Sequence, residues 1–249
     1  MNDFLLLARH SFREQLRSRF FLVTLIFGGL LVYMSLLLGV LAADQELRVL
    51  LDFGLAAIEL LTTAAVAFAA ASALLREMET KTLYLILSRP VPRTAYIAGG
   101  WAGLVASAFC AVLLMGGLHV ALMTSKGWHW ENAYAVALLG ILLKTSLTAS
   151  LASLLSLVST STVSGLLMTA VAWTLGHFTS EMRGLLARDA LRAKTMGALV
   201  YLVPDLERLN FRDRLGGAPE PLFWACLYAA LYSAVCLGLT TALFRRREF

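Results

Sequence analysis

Long stretches without charged residues alternate with short polar segments along the chain. Residues 20–43 and 94–125 contain no charge, and residues 53–75 contain only Glu59. A helix needs about 20 apolar residues to cross a hydrocarbon core about 30 Å thick. These stretches lack the alternation of a barrel strand, and backbone groups in lipid must bond to each other, so each stretch predicts a membrane-spanning helix.

The second half of the chain continues this pattern. Residues 132–180 carry a single formal charge, Lys144. One helix of that length would extend over about 70 Å, so the sequence predicts two helices joined at the polar cluster 159–162. Residues 221–244 are again free of charge. The predicted spans, within one transmembrane domain of residues 1–249, are about 20–42, 53–75, 95–123, 134–157, 160–179 and 222–244.

The segment before the first span predicts an amphipathic helix over residues 1–19. Its apolar residues recur at steps of three and four, beside a stripe of arginines, which is typical of a helix lying in the headgroup layer. A simple extension of the first span is the alternative. The apolar stripe is Leu5, Ala8, Phe12 and Leu16, and the basic stripe is Arg9, Arg13 and Arg17.

Composition supports a polytopic all-α membrane protein. Apolar residues make up 59% of the chain and charged residues 15%, with a mean hydropathy of +0.75. Soluble domains have about 45–50% and about 25%, and disordered chains are far less hydrophobic. Three cysteines provide no disulfide framework. The net charge of +5 is spread between apolar segments rather than on one face, so we expect no nucleic-acid partner.

The distribution of basic residues predicts the topology. Six spans bring both termini to one side, and that side carries eleven basic residues against two in the opposite short loops. Positive residues favour the cytoplasm, so both termini are predicted to be cytoplasmic. The long loop 180–220 is then external, although it carries seven basic residues, which opposes this orientation.

The loop over residues 76–93 has its own pattern. Glu77 and Glu79 come first, which suits the positive end of a helix. Leu83 and Leu87 share a helical face, and the prolines from Pro90 onwards end the helix. Such a short cytoplasmic helix is unstable alone and needs a surface, either the membrane or a soluble partner.

This segment resembles a known family. The pattern Glu-x-Glu-x-Lys-Thr-Leu-x-x-x-Leu-x-x-Pro-x-x-Arg from Glu77 to Arg93 is similar to the loop after the second span of ABC-2 type permeases. The permeases grouped with multicopper-enzyme maturation and nitrous-oxide reductase assembly are the most similar. Leu202-Val203-Pro204-Asp205 and the Phe-Arg-Arg-Arg ending at 244–247 extend the resemblance. It implies that 77–87 is a coupling helix on a separate ATPase, with docking residues Glu77, Glu79, Lys81, Thr82, Leu83, Leu87, Pro90 and Arg93.

The resemblance also implies the partners. Two permease chains would work with two cytoplasmic ABC ATPase subunits as an exporter in a bacterial inner membrane, among lipid and beside a periplasmic accessory protein. The chain has no G-x-x-x-x-G-K-[ST] motif, so ATP and magnesium are expected on the partner and no cofactor on this chain. No catalytic residue is predicted. Lipid, peptide, drug, sulfur compound and copper-related cargo all stay open.

Four polar residues inside the predicted spans are candidates for function. Lys144 lies about twelve residues into its span and Glu59 about seven into its own, so their depths differ by roughly 7 Å. They form a structural buried pair or the wall of a substrate cavity, or Lys144 extends alone towards the membrane interface. His119 and His177 lie near span ends, where copper or haem binding competes with ordinary interfacial histidines, and no metal site is predicted.

Two other classes of protein stay open at this point. A membrane enzyme would use Glu59, His119 and His177. A membrane anchor or assembly subunit of a redox or metalloenzyme maturation complex would bind haem or a periplasmic partner. Separately, Gly99 and Gly103 form a G-x-x-x-G pattern, which predicts close helix packing.

Overall fold

The computed structural model describes residues 2–41, 45–79, 92–186, 203–212 and 222–246. These ranges contain helices and short irregular segments and no strand. The helices are α1 (Asn2–Arg17), α2 (Arg19–Leu41), α3 (Glu46–Glu79), α4 (Arg93–Ser125), α5 (Asn132–Val158), α6 (Thr162–His177), α7 (Thr179–Leu186) and α8 (Leu222–Arg246), with a 3-10 turn at Glu207–Leu209.

Within the described ranges, five helices are long and apolar enough to cross a membrane. They are Phe21–Leu41, Glu46–Ala73, Arg93–Ser125, Asn132–Val158 and Leu222–Arg245. Large apolar side chains such as Ile26 and Val235 are exposed on α2 and α8, which suits contact with lipid. The predictions of an all-α fold and of a membrane-embedded protein are confirmed.

The predicted span 160–179 differs from the other five. Its helix, α6, has 16 residues and covers about 24 Å, less than the hydrocarbon core. The predicted turn before it is present, and Ser161 begins α6 with a capping box to Ser164. The helix ends at His177, where the Gly176 carbonyl accepts hydrogen bonds from Leu206 N–H and Thr179 Oγ1. Hydropathy did not predict this end because the chain remains uncharged there.

Helix α3 is longer than predicted at both ends. It begins at Glu46, seven residues before the predicted start, because an acidic residue suits the positive end of a helix and Glu46 pairs with Lys126 at 2.8 Å. It continues to Glu79, so residues 77–79 belong to α3. The remainder of the predicted coupling helix, residues 80–87, lies outside the described residues, as do 88–91 after it and 187–202 and 213–221 of the long loop.

The G-x-x-x-G pattern of α4 receives the amino-terminal helix rather than another span. A Cβ atom at Gly99 would lie 2.8 Å from Leu7 Cβ, and one at Gly103 would lie 2.6 Å from Ser11 Cβ. Ser11 Oγ also donates a hydrogen bond to Gly100 O at 3.1 Å. Leu5, a member of the predicted apolar stripe, is exposed on the surface of the chain. Because Gly99 and Gly103 have no side chains, the backbones of α1 and α4 can approach closely at these positions. This close approach determines which face of α1 contacts α4.

We expect Gly103→Ala to weaken this docking. The added methyl group would meet the backbone of α1, including Ala8 O at 2.7 Å, and overpacking of this kind costs about 1–3 kcal/mol. Thermal unfolding in detergent measures the loss. Gly100→Ala on the same helix is the control, because a Cβ atom there meets nothing within 4 Å. Equal losses in the two variants would contradict the docking.

The start of α4 and the end of α8 are tied together. The Arg93 guanidinium donates to the carbonyls of Phe244 at 3.4 Å and Arg245 at 3.3 Å, and Tyr96 stacks on the Phe244 ring. Since α1 docks near the start of α4, the amino-terminal helix and the end of α8 lie at one end of the bundle. Arg93 therefore has a partner within the chain, and its contact with an ATPase stays a prediction.

Candidate functional site

Glu59 and Lys144 form a buried ion pair between α3 and α5. Glu59 lies thirteen residues after the start of α3 and Lys144 twelve residues after the start of α5, which is about 20 Å and about 18 Å along the two helices. The expected offset of 7 Å is absent because α3 begins earlier than predicted. Lys144 Nζ lies 2.6 Å from Glu59 Oε1, and the two side chains are only 1% and 6% exposed.

His177 joins this pair from the last residue of α6. Its Nε2 lies 3.3 Å from Glu59 Oε1, and its Nδ1 lies 3.0 Å from Trp173 O. The ring also packs against the Trp173 indole, with centroids 4.3 Å apart. The fold thus gathers three of the four intramembrane polar residues that the sequence singled out.

His119, the fourth of these residues, lies elsewhere. It is fully buried, with Nδ1 2.9 Å from Tyr134 OH and Nε2 3.2 Å from Leu50 O, and its ring lies against Gly54. Both ring nitrogens of both histidines contact protein groups, so the fold does not aim them at a shared haem or copper ion. Across the described ranges, no group of three or more His, Cys, Asp or Glu residues is placed to hold a metal ion.

Two further members of the site come from residues 203–212, a segment that sequence reasoning placed in an external loop. Asn210 Oδ1 accepts a hydrogen bond from Lys144 Nζ at 3.1 Å, and Arg212 lies 3.9 Å from Glu59 Oε2. We call Glu59, Lys144, His177, Asn210 and Arg212 the Glu59 cluster. The sequence did indicate that Lys144 needs acceptors besides Glu59. A buried ammonium group has three N–H donors, and one carboxylate oxygen does not satisfy all of them.

Two glycines make room for the 203–212 segment. Non-helical backbone at membrane depth is tolerated where protein buries it, and Pro204, Leu206 and Leu209 are buried. A Cβ atom at Gly140 of α5 would lie 2.6 Å from Leu209 O, and one at Gly176 of α6 would lie 2.7 Å from Pro204 O. The segment therefore packs directly on the backbones of α5 and α6.

Asp205 anchors the other end of the segment. Its Oδ2 accepts hydrogen bonds from Arg183 at 2.8 Å and Arg208 at 3.1 Å, and its Oδ1 accepts from Thr179 at 3.0 Å. Its backbone N–H donates to Tyr228 OH at 2.8 Å. Asp205 belongs to the Leu202-Val203-Pro204-Asp205 sequence that supported the family resemblance. It attaches the segment to α7 and α8, while Asn210 and Arg212 attach it to α5 and α3. The bond from Leu206 N–H to Gly176 O attaches it to α6.

The arrangement is suited to holding helices together through charge inside the membrane. One carboxylate, Glu59, faces the cations Lys144 and Arg212, and removing one partner from a buried ion pair leaves an uncompensated charge at a large cost. Glu59 of α3 thereby contacts Lys144 of α5, His177 of α6 and Arg212 of the 203–212 segment at once. No protein-family model and no curated protein matches this chain.

Proposed function

We propose that this chain is the membrane subunit of an ATP-binding-cassette exporter of the ABC-2 permease type, with ATP hydrolysed by a separate subunit. The pattern from Glu77 to Arg93 suggests this class, and the helical membrane-embedded fold agrees with it. The cargo would pass beside the Glu59 cluster, and the 203–212 segment would close the path.

The continuity of α3 is the observation that carries this proposal. The helix has 34 residues and extends about 51 Å, well beyond the thickness of the hydrocarbon core. Glu59 lies in its membrane part, and Glu79, in the proposed docking segment, lies twenty residues further on, at its end. A partner that moves this end of α3 would also displace Glu59. A change in the arrangement of the ATPase subunits on binding ATP would therefore be transmitted along α3 to the Glu59 cluster.

The early end of α6, at His177, supports a role of this chain in transport over a purely structural role. The helix stops at the level of Lys144 and His177, and irregular backbone from residues 203–212 fills the space beside it. Transporters commonly build their binding sites from helix ends and unwound backbone near the middle of the membrane. A simple membrane anchor has no need for buried charges at such a break.

The proposed topology has six crossings with both termini in the cytoplasm of a bacterial inner membrane. The crossing predicted over 160–179 would be made by α6 together with α7, in place of one straight helix. The excess of basic residues at the end of the bundle that holds α1 and Arg93 supports this orientation. Two copies of the chain would pair with two ATPase subunits.

Removal of the docking surface tests the proposal. We expect Glu79→Lys combined with Leu83→Asp to abolish co-purification of an ATPase subunit that carries a Walker motif. The reversed charge and the buried carboxylate would disrupt both the polar and the apolar part of the contact. The amount of ATPase subunit and the ATP hydrolysis rate of the purified complex are the measurements.

Glu131→Lys is the matched control, because Glu131 is an exposed acidic residue between α4 and α5, at the other end of the bundle. This variant should retain the ATPase. Wild-type amounts of ATPase in the Glu79→Lys, Leu83→Asp variant would refute the docking. Bound haem without any ATPase would favour the role of membrane anchor in a redox assembly.

A further inference from the structure

The docking of α1 on α4 leaves one side of α1 exposed. The docked side includes Leu7 and Ser11, which meet the glycines of α4. A helix has about 3.6 residues per turn, so residues four apart form a stripe along it. The exposed side carries the basic stripe, with one arginine on each of three successive turns. All of its members are exposed: Arg9, Arg13 and Arg17.

Within the described residues, the basic stripe is only partly balanced by acidic groups. None of its guanidinium groups forms an ion pair with a carboxylate of these residues. An open groove of about 780 Å³ follows the stripe, and Glu14 contributes the one carboxylate of its described lining. The arginines and Glu14 together leave an excess of two positive charges there. Because like charges on successive turns repel each other, the basic stripe favours an anionic partner.

Helix α1 lies at the level where α3 leaves the hydrocarbon core. Leu7 lines a cavity together with Ala70 and Ala73 of α3. These two alanines follow the start of α3 by 24 and 27 residues, which is about 36 and 40 Å along the helix. The hydrocarbon core is only about 30 Å thick. The basic stripe also ends four residues before the span of α2 begins at Phe21. Both positions place the stripe in the headgroup layer.

Two exposed leucines lie beside the basic stripe, one turn before its first arginine. Leu5 is 59% exposed and Leu6 is 64% exposed. Free phosphate offers a leucine no apolar surroundings, whereas the acyl chains directly below lipid phosphates do. Arginine suits the same boundary, because its stem lies along apolar groups while its guanidinium reaches the polar layer. The combination of cations and exposed leucines therefore matches a phospholipid.

We propose that the basic stripe binds the phosphate groups of anionic phospholipids in the leaflet next to α1. A planar guanidinium group presents paired N–H donors that match two phosphate oxygens. Anionic lipids carry the net negative charge that attracts basic segments to a membrane surface, and zwitterionic lipids do not. This inference concerns the chain alone, so it succeeds or fails independently of the transporter proposal.

Lipid titration of the purified chain in an uncharged detergent tests this proposal, with native mass spectrometry as the measurement. We expect phosphatidylglycerol to bind more tightly than phosphatidylcholine. One arginine near an anionic surface contributes about five-fold to binding, so Arg9→Gln combined with Arg13→Gln should weaken the affinity for phosphatidylglycerol by about 25-fold. The affinity of this variant for phosphatidylcholine should equal that of the wild type, because the zwitterionic lipid does not depend on the stripe.

Two further variants separate the stripe from a general effect of charge. Arg9→Lys combined with Arg13→Lys keeps both charges and should retain most of the affinity for phosphatidylglycerol. Arg48→Gln combined with Lys126→Gln is the matched control, because it removes two exposed positive charges at the other end of the bundle. This control should leave the affinity nearly unchanged. Equal losses in the control and in the glutamine variant of the stripe would overturn the proposal, as would an unchanged affinity in the latter.

Hydrogen exchange in nanodiscs shows whether the lipid lies on α1. Replacing phosphatidylcholine by phosphatidylglycerol should slow the exchange of the peptide covering 2–17 and leave that of 222–246 unchanged. If the slowing persists in Arg9→Gln, Arg13→Gln, the lipid does not bind the stripe. Displacement of the lipid by inorganic phosphate would instead assign the stripe to free phosphate. Retained lipid affinity with loss of the ATPase subunit would assign it to a protein partner.

Discussion

Glu59→Leu is expected to lower the free energy of unfolding by about 3–5 kcal/mol, the range measured when one partner of a buried ion pair is removed. The cost arises because the Lys144 ammonium, at 1% exposure, stays in the protein interior without its carboxylate. Asn210 also accepts a hydrogen bond from Lys144, but it is neutral and does not replace the carboxylate charge of Glu59. Denaturant titration in detergent, followed by circular dichroism, measures the loss.

The double variant Glu59→Leu, Lys144→Met shows whether the uncompensated charge causes this loss. Replacing both members of a buried pair by apolar residues is often nearly neutral, so the double variant should recover most of the stability. Glu46→Leu is the matched control, because Glu46 pairs with Lys126 at 2.8 Å but both side chains are about one-third exposed. An exposed pair contributes about 0–1 kcal/mol. A loss in Glu46→Leu as large as that in Glu59→Leu would contradict the assignment of the cost to burial.

Gly140→Ala and Gly176→Ala are expected to displace the 203–212 segment. Each added methyl group meets a backbone carbonyl that no side-chain rotation can move, Leu209 O at 2.6 Å and Pro204 O at 2.7 Å. We expect each substitution to lower stability by about 1–3 kcal/mol, after a gain of up to about 1 kcal/mol from helix propensity. Hydrogen exchange of the peptide covering 203–212 should rise in both variants.

Gly117→Ala and Gly238→Ala are the matched controls. They distinguish displacement of the 203–212 segment from a general effect of replacing glycine by alanine in a membrane helix. A Cβ atom at either position meets nothing within 4 Å. These two variants should keep or slightly raise stability and leave the exchange of the segment unchanged. If they destabilise the chain as strongly as Gly140→Ala does, the close approach of the segment to α5 is refuted.

The sequence by itself determined that the chain is helical and embedded in a membrane. Charge-free stretches of more than 20 residues have one favourable environment, and in that environment the backbone must form helices. The turn near Ser161, the position of Lys144 inside a span and the amphipathic start were all visible as local patterns. Even so, charge counting placed the start of α3 seven residues too late, because Glu46 is stable at a helix end.

Only the tertiary structure decided which polar groups meet. Glu59, Lys144 and His177 stand far apart in the sequence, and nothing local indicates that a segment after Pro204 returns to them with Asn210 and Arg212. Likewise, the glycines at 99 and 103 predict that another helix approaches α4 closely, but they do not predict that this helix is α1. The physical reason is shared. A buried charge requires an opposite charge, and a pair of glycines on a helix allows close contact with another helix. Which part of the chain provides these partners is determined by the three-dimensional packing.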